Sequence, residues 1–226
     1  MPELNFQISD ASVVRHAAVP TLGLQLSISQ SEPRVPIESV LLECQVRIEP
    51  TRRKYSPAEQ SRLSDLFGEP ARWGETLRSL LWTHVRAHLP PLVEGTTLEL
   101  PIPCSFDFNV GATKYFSALE SGELPLLILF SGTIFYTADE AVQISRISWE
   151  KECRYRLPVS VWREMMDLYY PNQAWLTLRR DIFDRLLDYK QRQSLPTFEQ
   201  ALDKLLAEVQ AVETVETPAF SSEGSS

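Results

Sequence analysis

The chain has 226 residues, of which 43% are hydrophobic and 23% are charged, and this balance predicts a soluble globular protein with a sizeable core. Its net charge of −8 argues against nucleic-acid binding and against adhesion to anionic membranes, because contact with phosphate groups needs a positive surface. The three cysteines are widely spaced and form no CxxC, which favours reduced thiols in a cytoplasmic protein over a disulfide framework or a structural zinc site.

The first residues, MPELNFQISD, contain no basic segment followed by an apolar run, so we expect no signal peptide. The longest apolar stretch, LPLLILFSGTIFY over residues 124–136, is too short to span a bilayer, and its β-branched and aromatic residues oppose a helix. We therefore expect a cytoplasmic protein without membrane insertion.

The first two thirds of the chain show the alternation of apolar and polar residues that is typical of half-buried β-strands. It is clearest in PTLGLQLSIS (20–29), IESVLLECQVRIEP (37–50) and TTLELPIPCSFDF (96–108). The stretch LLILFSGTIFYT (126–137) is apolar on both faces, which predicts a central strand covered on both sides. Proline and glycine signals separate these strands, so we predict an antiparallel β-sandwich-like domain over residues 1–157.

Helical signals interrupt and follow the strands. Ser56 as N-cap and Pro57 at the first helical position predict a helical insertion over residues 56–67, and a second helix is expected near GATKYFSALESGE. From residue 158 to 210 the apolar period becomes helical, which predicts C-terminal helices packed on the β domain. The acidic residues 211–226 are expected to be a disordered tail. The predicted fold class is α+β.

Two histidines four residues apart, His84 and His88, raise the question of a metal site. On a strand, residues at this spacing are about 13 Å apart, too far for both to bind one zinc ion. On a helix they would suit a metal, but prolines end the segment and Val85 stands where an HExxH motif needs glutamate. We therefore interpret the segment as a strand with Trp82, His84, Arg86 and His88 on its outer face, and we predict no metal and no cofactor.

Motifs of catalysis are missing from the sequence. There is no GxSxG, no GxxxxGK and no GxGxxG, and no pair of carboxylates has a spacing that suggests acid–base work. Cys44 and Cys104 fall in phase with the apolar residues of their strands. Cys153 lies among Lys151, Arg154 and Arg156, which would favour a thiolate, but it too shares the apolar phase. We predict no catalytic residues and favour a protein that is not an enzyme.

A basic cluster, Arg52, Arg53 and Lys54, stands between a strand and a helix N-terminus. Such a cluster can hold an anion or an acidic partner, and it can equally be a solvated loop. We place these three residues in a candidate partner-binding surface.

Aromatic side chains near predicted turns complete this candidate surface. Trp73 lies between two glycines, and Tyr170 and Trp175 flank a Pro-Asn turn. Aromatics in such places serve either as interface anchors or as peripheral core packing, and the sequence leaves both alternatives open.

Five stretches carry a resemblance to a known family. They are CQVRIEPTRRKYSPAE, DLFGEPARWGETL, PIPCSFDFNVGATKYFSALESGELPLLILFSGTIFY, WEKECRYRLPVSVWREMMDLYYPN and WLTLRRDIFDRLLDYK. Together, from Cys44 to Lys190, the chain resembles an uncharacterised bacterial family of about this length, classed as a domain of unknown function. The resemblance implies a gene that often sits near those of uptake nickel–iron hydrogenases in actinobacteria and similar organisms. The resemblance implies an accessory or assembly role and brings no catalytic residues with it.

Three functional hypotheses follow. The first is a cytoplasmic interaction protein with a protein partner, acting as an accessory or assembly factor for a redox enzyme such as a hydrogenase. The second is an enzyme or small-ligand-binding protein with a pocket between sheet and helices, drawing on Cys153, Arg154, Arg156 or Arg163. The third is a holdase-like chaperone whose curved sheet presents apolar surface.

Overall fold

The computed structural model describes residues 2–31, 35–104, 110–173 and 178–215. The strands are β1 (Leu4–Val13), β2 (Thr21–Gln30), β3 (Ile37–Ile48), β4 (Leu80–Leu89), β5 (Gly95–Pro103), β6 (Glu123–Ala138), β7 (Ala141–Arg146) and β8 (Glu152–Pro158). The helices are α1 (Pro57–Phe67), α2 (Trp73–Thr76), α3 (Val110–Ala118), α4 (Val159–Tyr169), α5 (Arg180–Arg192) and α6 (Phe198–Val215).

The strands form two antiparallel sheets. One sheet has the order β1–β2–β5, and the other has the order β4–β3–β6, with β7 and β8 both on the far side of β6. β8 pairs with the first half of β6 and β7 pairs with its second half, so these two short strands lie end to end along one sheet edge. The predicted α+β class, the sandwich-like arrangement and the central position of β6 are confirmed.

The main core lies between the two sheets and consists of the apolar phase of each strand. Leu24 of β2, Cys44 of β3 and Ile128 of β6 are fully buried. The rings of Phe6 and Phe130, one from each sheet, stack with centroids 4.3 Å apart. The strand faces predicted from the period of two are therefore the faces that pack.

β4 is a strand, as predicted, and His84 and His88 are exposed on its outer face. The prediction that Trp82 shares this face is wrong, because the register between β3 and β4 shifts near Trp82 and leaves one extra residue in β4. The extra residue turns Trp82 inward, where its ring lies 5.1 Å from that of Phe116. The same shift leaves Leu81 half exposed, although an unbroken strand period would place it on the core side with Val85 and Leu89.

Helix α4 packs on β1, β2 and β8. Its last residue, Tyr169, fixes the loop between β1 and β2. The Tyr169 hydroxyl donates to the carbonyl of Val14 (2.8 Å) and accepts from the N–H of Ala17 (2.9 Å). A single side chain therefore connects the helix to a loop more than 150 residues earlier in the chain.

The chain divides into two compact units after Asn172. The second unit contains α5 and α6, which we call the α5–α6 hairpin; the rings of Phe183 and Phe198 join the two helices at 5.4 Å. α6 continues to Val215, past residue 210, where the helical segment was predicted to end. The rest of the predicted tail lies outside the described residues. Packing of these two helices on the β domain stays a prediction.

Candidate functional site

The basic loop, Arg52–Lys54, connects the end of β3 to α1, and its central arginine is a structural residue. The Arg53 side chain is only 9% exposed. Its guanidinium donates to the backbone carbonyls of Ser121 (2.7 Å) and Glu123 (2.9 Å) and to a carboxylate oxygen of Glu59 (2.5 Å). Arg53 therefore holds the loop against the segment that precedes β6.

Glu59 is the matching carboxylate and is 4% exposed. It also accepts hydrogen bonds from the backbone N–H groups of Glu120 (2.8 Å) and Ser56 (3.0 Å), and Ser56 Oγ in turn accepts from the N–H of Glu59, which completes a capping box. Burial raises the pKa of Glu59, but these hydrogen bonds and the charge of Arg53 lower it further than burial raises it. The carboxylate is therefore held ionised, and the loop, α1 and the Glu120 segment are joined around it.

An open groove of about 610 Å³ lies beside this ion pair. Arg52 and Lys54 are exposed on its rim, and Arg156 of β8 faces them. Arg52 pairs with Glu49 (2.9 Å) and Arg156 with Glu123 (3.7 Å), whereas Lys54 has no ion pair within the described ranges. The groove therefore has mixed charge, and partner binding by the basic loop stays a prediction.

Trp73 belongs to an aromatic cluster under α1. It is buried, its indole N–H donates to the carbonyl of Gly68 (2.9 Å), and its ring packs edge-to-face on Tyr55 and Phe67. Core packing thus accounts for Trp73 without a partner. Its role as an interface anchor stays a prediction.

The aromatic cluster predicted around the Pro-Asn turn is only partly described. Tyr170 is half-buried at the end of α4, next to the structural Tyr169. Trp175 lies outside the described residues. Partner contact by Tyr170 and Trp175 stays a prediction.

In the described part of the chain, the thiols and histidines are not arranged for nucleophilic catalysis or metal binding. Burial raises the pKa of Cys44 and Cys104 to about 12 and that of Cys153 to about 11, so all three are protonated thiols near neutral pH. His84 accepts a hydrogen bond from Gln45 (3.2 Å). Among the described residues, no group of histidine, cysteine and carboxylate side chains is arranged to hold a metal ion.

Two arginines of the predicted sheet–helix pocket lie on β8 but not beside the thiol. Arg154 and Arg156 alternate with Cys153, so they project from the opposite face of the strand, where Arg154 pairs with Glu152 (2.7 Å). Arg163 donates to the carbonyl of Leu119 (2.6 Å). A single pocket lined by Cys153 and these two β8 arginines is therefore not formed.

The α5–α6 hairpin, taken by itself, carries an apolar surface. No residue of α5 is buried, and on α6 only Ala201 is buried among the described side chains. Phe183 is 39% exposed and Leu206 is 63% exposed. One groove of about 400 Å³ is lined by Leu178, Arg180, Phe183, Leu186, Phe198 and Leu202. A second of about 410 Å³ is lined by Ile182, Arg185, Leu186, Asp188, Tyr189, Arg192 and Leu205.

The sequence shows the apolar period of this hairpin. The pattern on α5 and α6 is that of helices with one face on a core, which is why packing was predicted. Periodicity shows which face is apolar and cannot show whether anything covers that face. No helix of the described chain is long and apolar enough to cross a membrane.

Comparison with known proteins gives a family but no activity. Over 68% of its length the chain is similar to DesR, a β-glucosidase from Streptomyces venezuelae, with 10% identity and a TM-score of 0.24. Over 69% it is similar to β-glucosidase 3B from Thermotoga neapolitana, with 15% identity and a TM-score of 0.23. The aligned parts are 15% and 17% of those enzymes, and the similarity is too weak to support an argument. No curated protein matches. The model of a family of unknown function, DUF6084, matches residues 1–214, and the chain belongs to this family.

Proposed function

We propose that the protein is a cytoplasmic accessory protein that binds another protein, and that the α5–α6 hairpin is its contact surface. The observation that carries this proposal is a strongly amphipathic helix of 13 residues, α5, without one buried residue. A two-helix hairpin exposes apolar area that stable monomers usually cover, and such area marks sites of association.

The proposed occupant is an amphipathic helix of the partner with acidic residues beside its apolar anchors. Helix-in-groove binding uses apolar anchors at i, i+3 or i+4, and i+7, which suits the apolar floors of the two grooves. The charges on their walls are mainly positive, with Arg180, Arg185 and Arg192 against Asp188. In the described part of the chain, Arg185 and Arg192 have no carboxylate partner, so they are available to an acidic segment.

The class of partner is a further part of the proposal. The resemblance of the chain to a family encoded near uptake nickel–iron hydrogenases supports a role as an accessory or assembly factor for a redox enzyme. A groove that takes one helix is suited to a transient assembly contact, because such contacts bury less area than permanent ones.

Charge reversal on the hairpin tests the proposal. The tagged wild type, Arg185→Glu/Arg192→Glu and the matched control Arg86→Glu/Lys114→Glu are each expressed in the native host, and co-purified proteins are quantified. Arg86 and Lys114 are exposed cations of the first unit, so their reversal makes the same change in net charge without touching the hairpin. We expect the amount of the co-purified partner to fall at least about tenfold in the hairpin variant, because rim charges set association and selectivity, and to stay unchanged in the control. An equal loss in both variants, or an unchanged yield from the hairpin variant, would contradict the proposal.

A further inference from the structure

One edge of β7 pairs with no other described strand, and the turn before β7 shows which of its backbone groups point to that edge. Asp139 and Glu140, between β6 and β7, both have positive φ (52° and 61°), the conformation of a two-residue type I′ hairpin turn. The flanking residues Ala138 and Ala141 then form a hydrogen-bonded pair, and such pairs alternate along the ladder. The N–H of Ile147 donates to Gly132 of β6, which agrees with this alternation.

The N–H and C=O groups of Val142, Ile144 and Arg146 therefore point away from β6. Among the described strands, β7 pairs with β6 alone, so no other described strand forms hydrogen bonds with these groups. Natural sheets protect such edges with lysine, proline or a bulge. AVQISR has none of these.

The side chains at this edge are as open as the backbone. Val142 and Ile144 are each 64% exposed on the same face of β7. Trp149, in the turn that follows, is 85% exposed. Exposed β-branched residues beside a free edge and an exposed tryptophan are a surface suited to strand addition.

We propose that two copies of the chain pair through this edge, with β7 antiparallel to β7 of the second copy and Gln143 on the two-fold axis. Val142 then lies opposite Ile144 of the second copy, and the reverse pair follows by symmetry. Both are residues whose N–H and C=O groups face outward, so these pairs are the hydrogen-bonded ones. The two sheets become one continuous sheet.

Charge complementarity identifies the occupant as a second copy. In this register Glu140, in the turn next to Ala141, lies near Arg146 of the second copy, so their side chains can form two ion pairs across the dimer. In the described residues, neither Glu140 nor Arg146 has an ion pair within its own chain. Shifting the pairing by two residues keeps the same faces together but places Ile144 on the two-fold axis. Val142 then lies opposite Arg146, so the Val142–Ile144 pairs and the ion pairs are both lost.

Sedimentation of two charge-reversed variants tests both the dimer and its register. We expect wild type to dimerise, and Glu140→Lys and Arg146→Glu each to weaken the dimer at least about tenfold, because two opposed pairs become repulsive in each variant. An equimolar mixture of the two variants restores opposite charges at both ends, so we expect a heterodimer. A monomeric wild type at the highest soluble concentration, or a mixture that stays monomeric, would overturn the proposal.

A disulfide trap gives a second, independent measurement. Residues facing each other in a non-hydrogen-bonded pair have Cα atoms about 4.5 Å apart, within reach of a disulfide. Gln143→Cys is therefore expected to form a covalent dimer on mild oxidation. Arg156→Cys, exposed on β8 along the same edge, is the matched control and is expected to stay monomeric. Equal cross-linking in both variants would contradict the two-fold axis at Gln143.

Discussion

Replacing Glu59 by glutamine tests how the first unit is held together. The carboxylate accepts from Arg53, Glu120 and Ser56 with both oxygens. Glutamine has the same shape, but only one of its two terminal atoms can accept a hydrogen bond. Its NH₂ group therefore faces an N–H donor, and Arg53 is left buried without its counter-charge. Breaking a buried pair from one side costs about 3–5 kcal/mol. That is a large share of the total stability of a typical domain, which is about 5–15 kcal/mol.

The matched control is Glu43→Gln. Glu43 pairs with Arg86 at 2.6 Å, nearly the distance of the Arg53–Glu59 pair, but the side chains are 52% and 84% exposed. An exposed pair contributes about 0–1 kcal/mol, so the control is expected to change little. Equilibrium urea unfolding at pH 7, followed by tryptophan fluorescence, measures both variants. A loss below about 1 kcal/mol for Glu59→Gln, or equal losses for the two variants, would show that burial does not decide the strength of these ion pairs.

The same variant has a predicted pH dependence. Because the folded-state pKa of Glu59 is lowered, its contribution is complete above the unfolded-state pKa of about 4.3 and is lost as the pH falls through the lower folded-state pKa. The stability difference between wild type and Glu59→Gln is therefore expected to shrink as the pH falls below about 4. A difference that stays constant into that range would contradict the ionised carboxylate.

Three further predictions concern other parts of the first unit. Tyr169→Phe removes the hydroxyl that holds Val14 and Ala17, so a loss of about 1–2 kcal/mol and faster hydrogen exchange of the Ala17 amide are expected. Gly132→Ala places a Cβ 2.0 Å from the carbonyl oxygen of Leu41 at a φ of 144°, and a loss of at least about 3 kcal/mol is expected in thermal unfolding. The three thiols, whose pKa values are raised to about 11–12, should react with iodoacetamide at pH 8 at least about 100-fold more slowly in the folded protein than in urea.

Much of the fold could be predicted because its strands have one covered face. The period of two located β2, β3, β5 and β6, and the capping residues located α1. β1 has the same signal, since Leu4, Phe6 and Ile8 alternate with polar residues and are buried. The bulge that turns Trp82 inward could not be predicted, because an extra residue in one strand is defined only against its partner strand.

Less of the candidate site could be predicted, because it depends on what meets across the fold. The sequence places Arg53 in a candidate partner-binding cluster, whereas its counter-charge and two carbonyl acceptors come from residues 6 to 70 positions away. Trp149 stands in one alternating run with Ile147 and Cys153 in the sequence, but a turn separates β7 from β8 and exposes its side chain. Whether the apolar face of the α5–α6 hairpin is covered likewise depends on tertiary packing.

The most direct test of the central claim is photo-cross-linking in the native host with benzoylphenylalanine at position 183 of the full chain. Phe183 lines the first groove of the hairpin, so a bound segment lies within reach of the probe. The same probe at position 43, on the exposed face of β3, is the control. If the hairpin is the contact surface, position 183 yields one dominant partner peptide with helical apolar spacing and flanking acidic residues, and position 43 yields none. Cross-links from position 183 to residues of the chain's own first unit would contradict it, because the apolar face would then belong to the internal core.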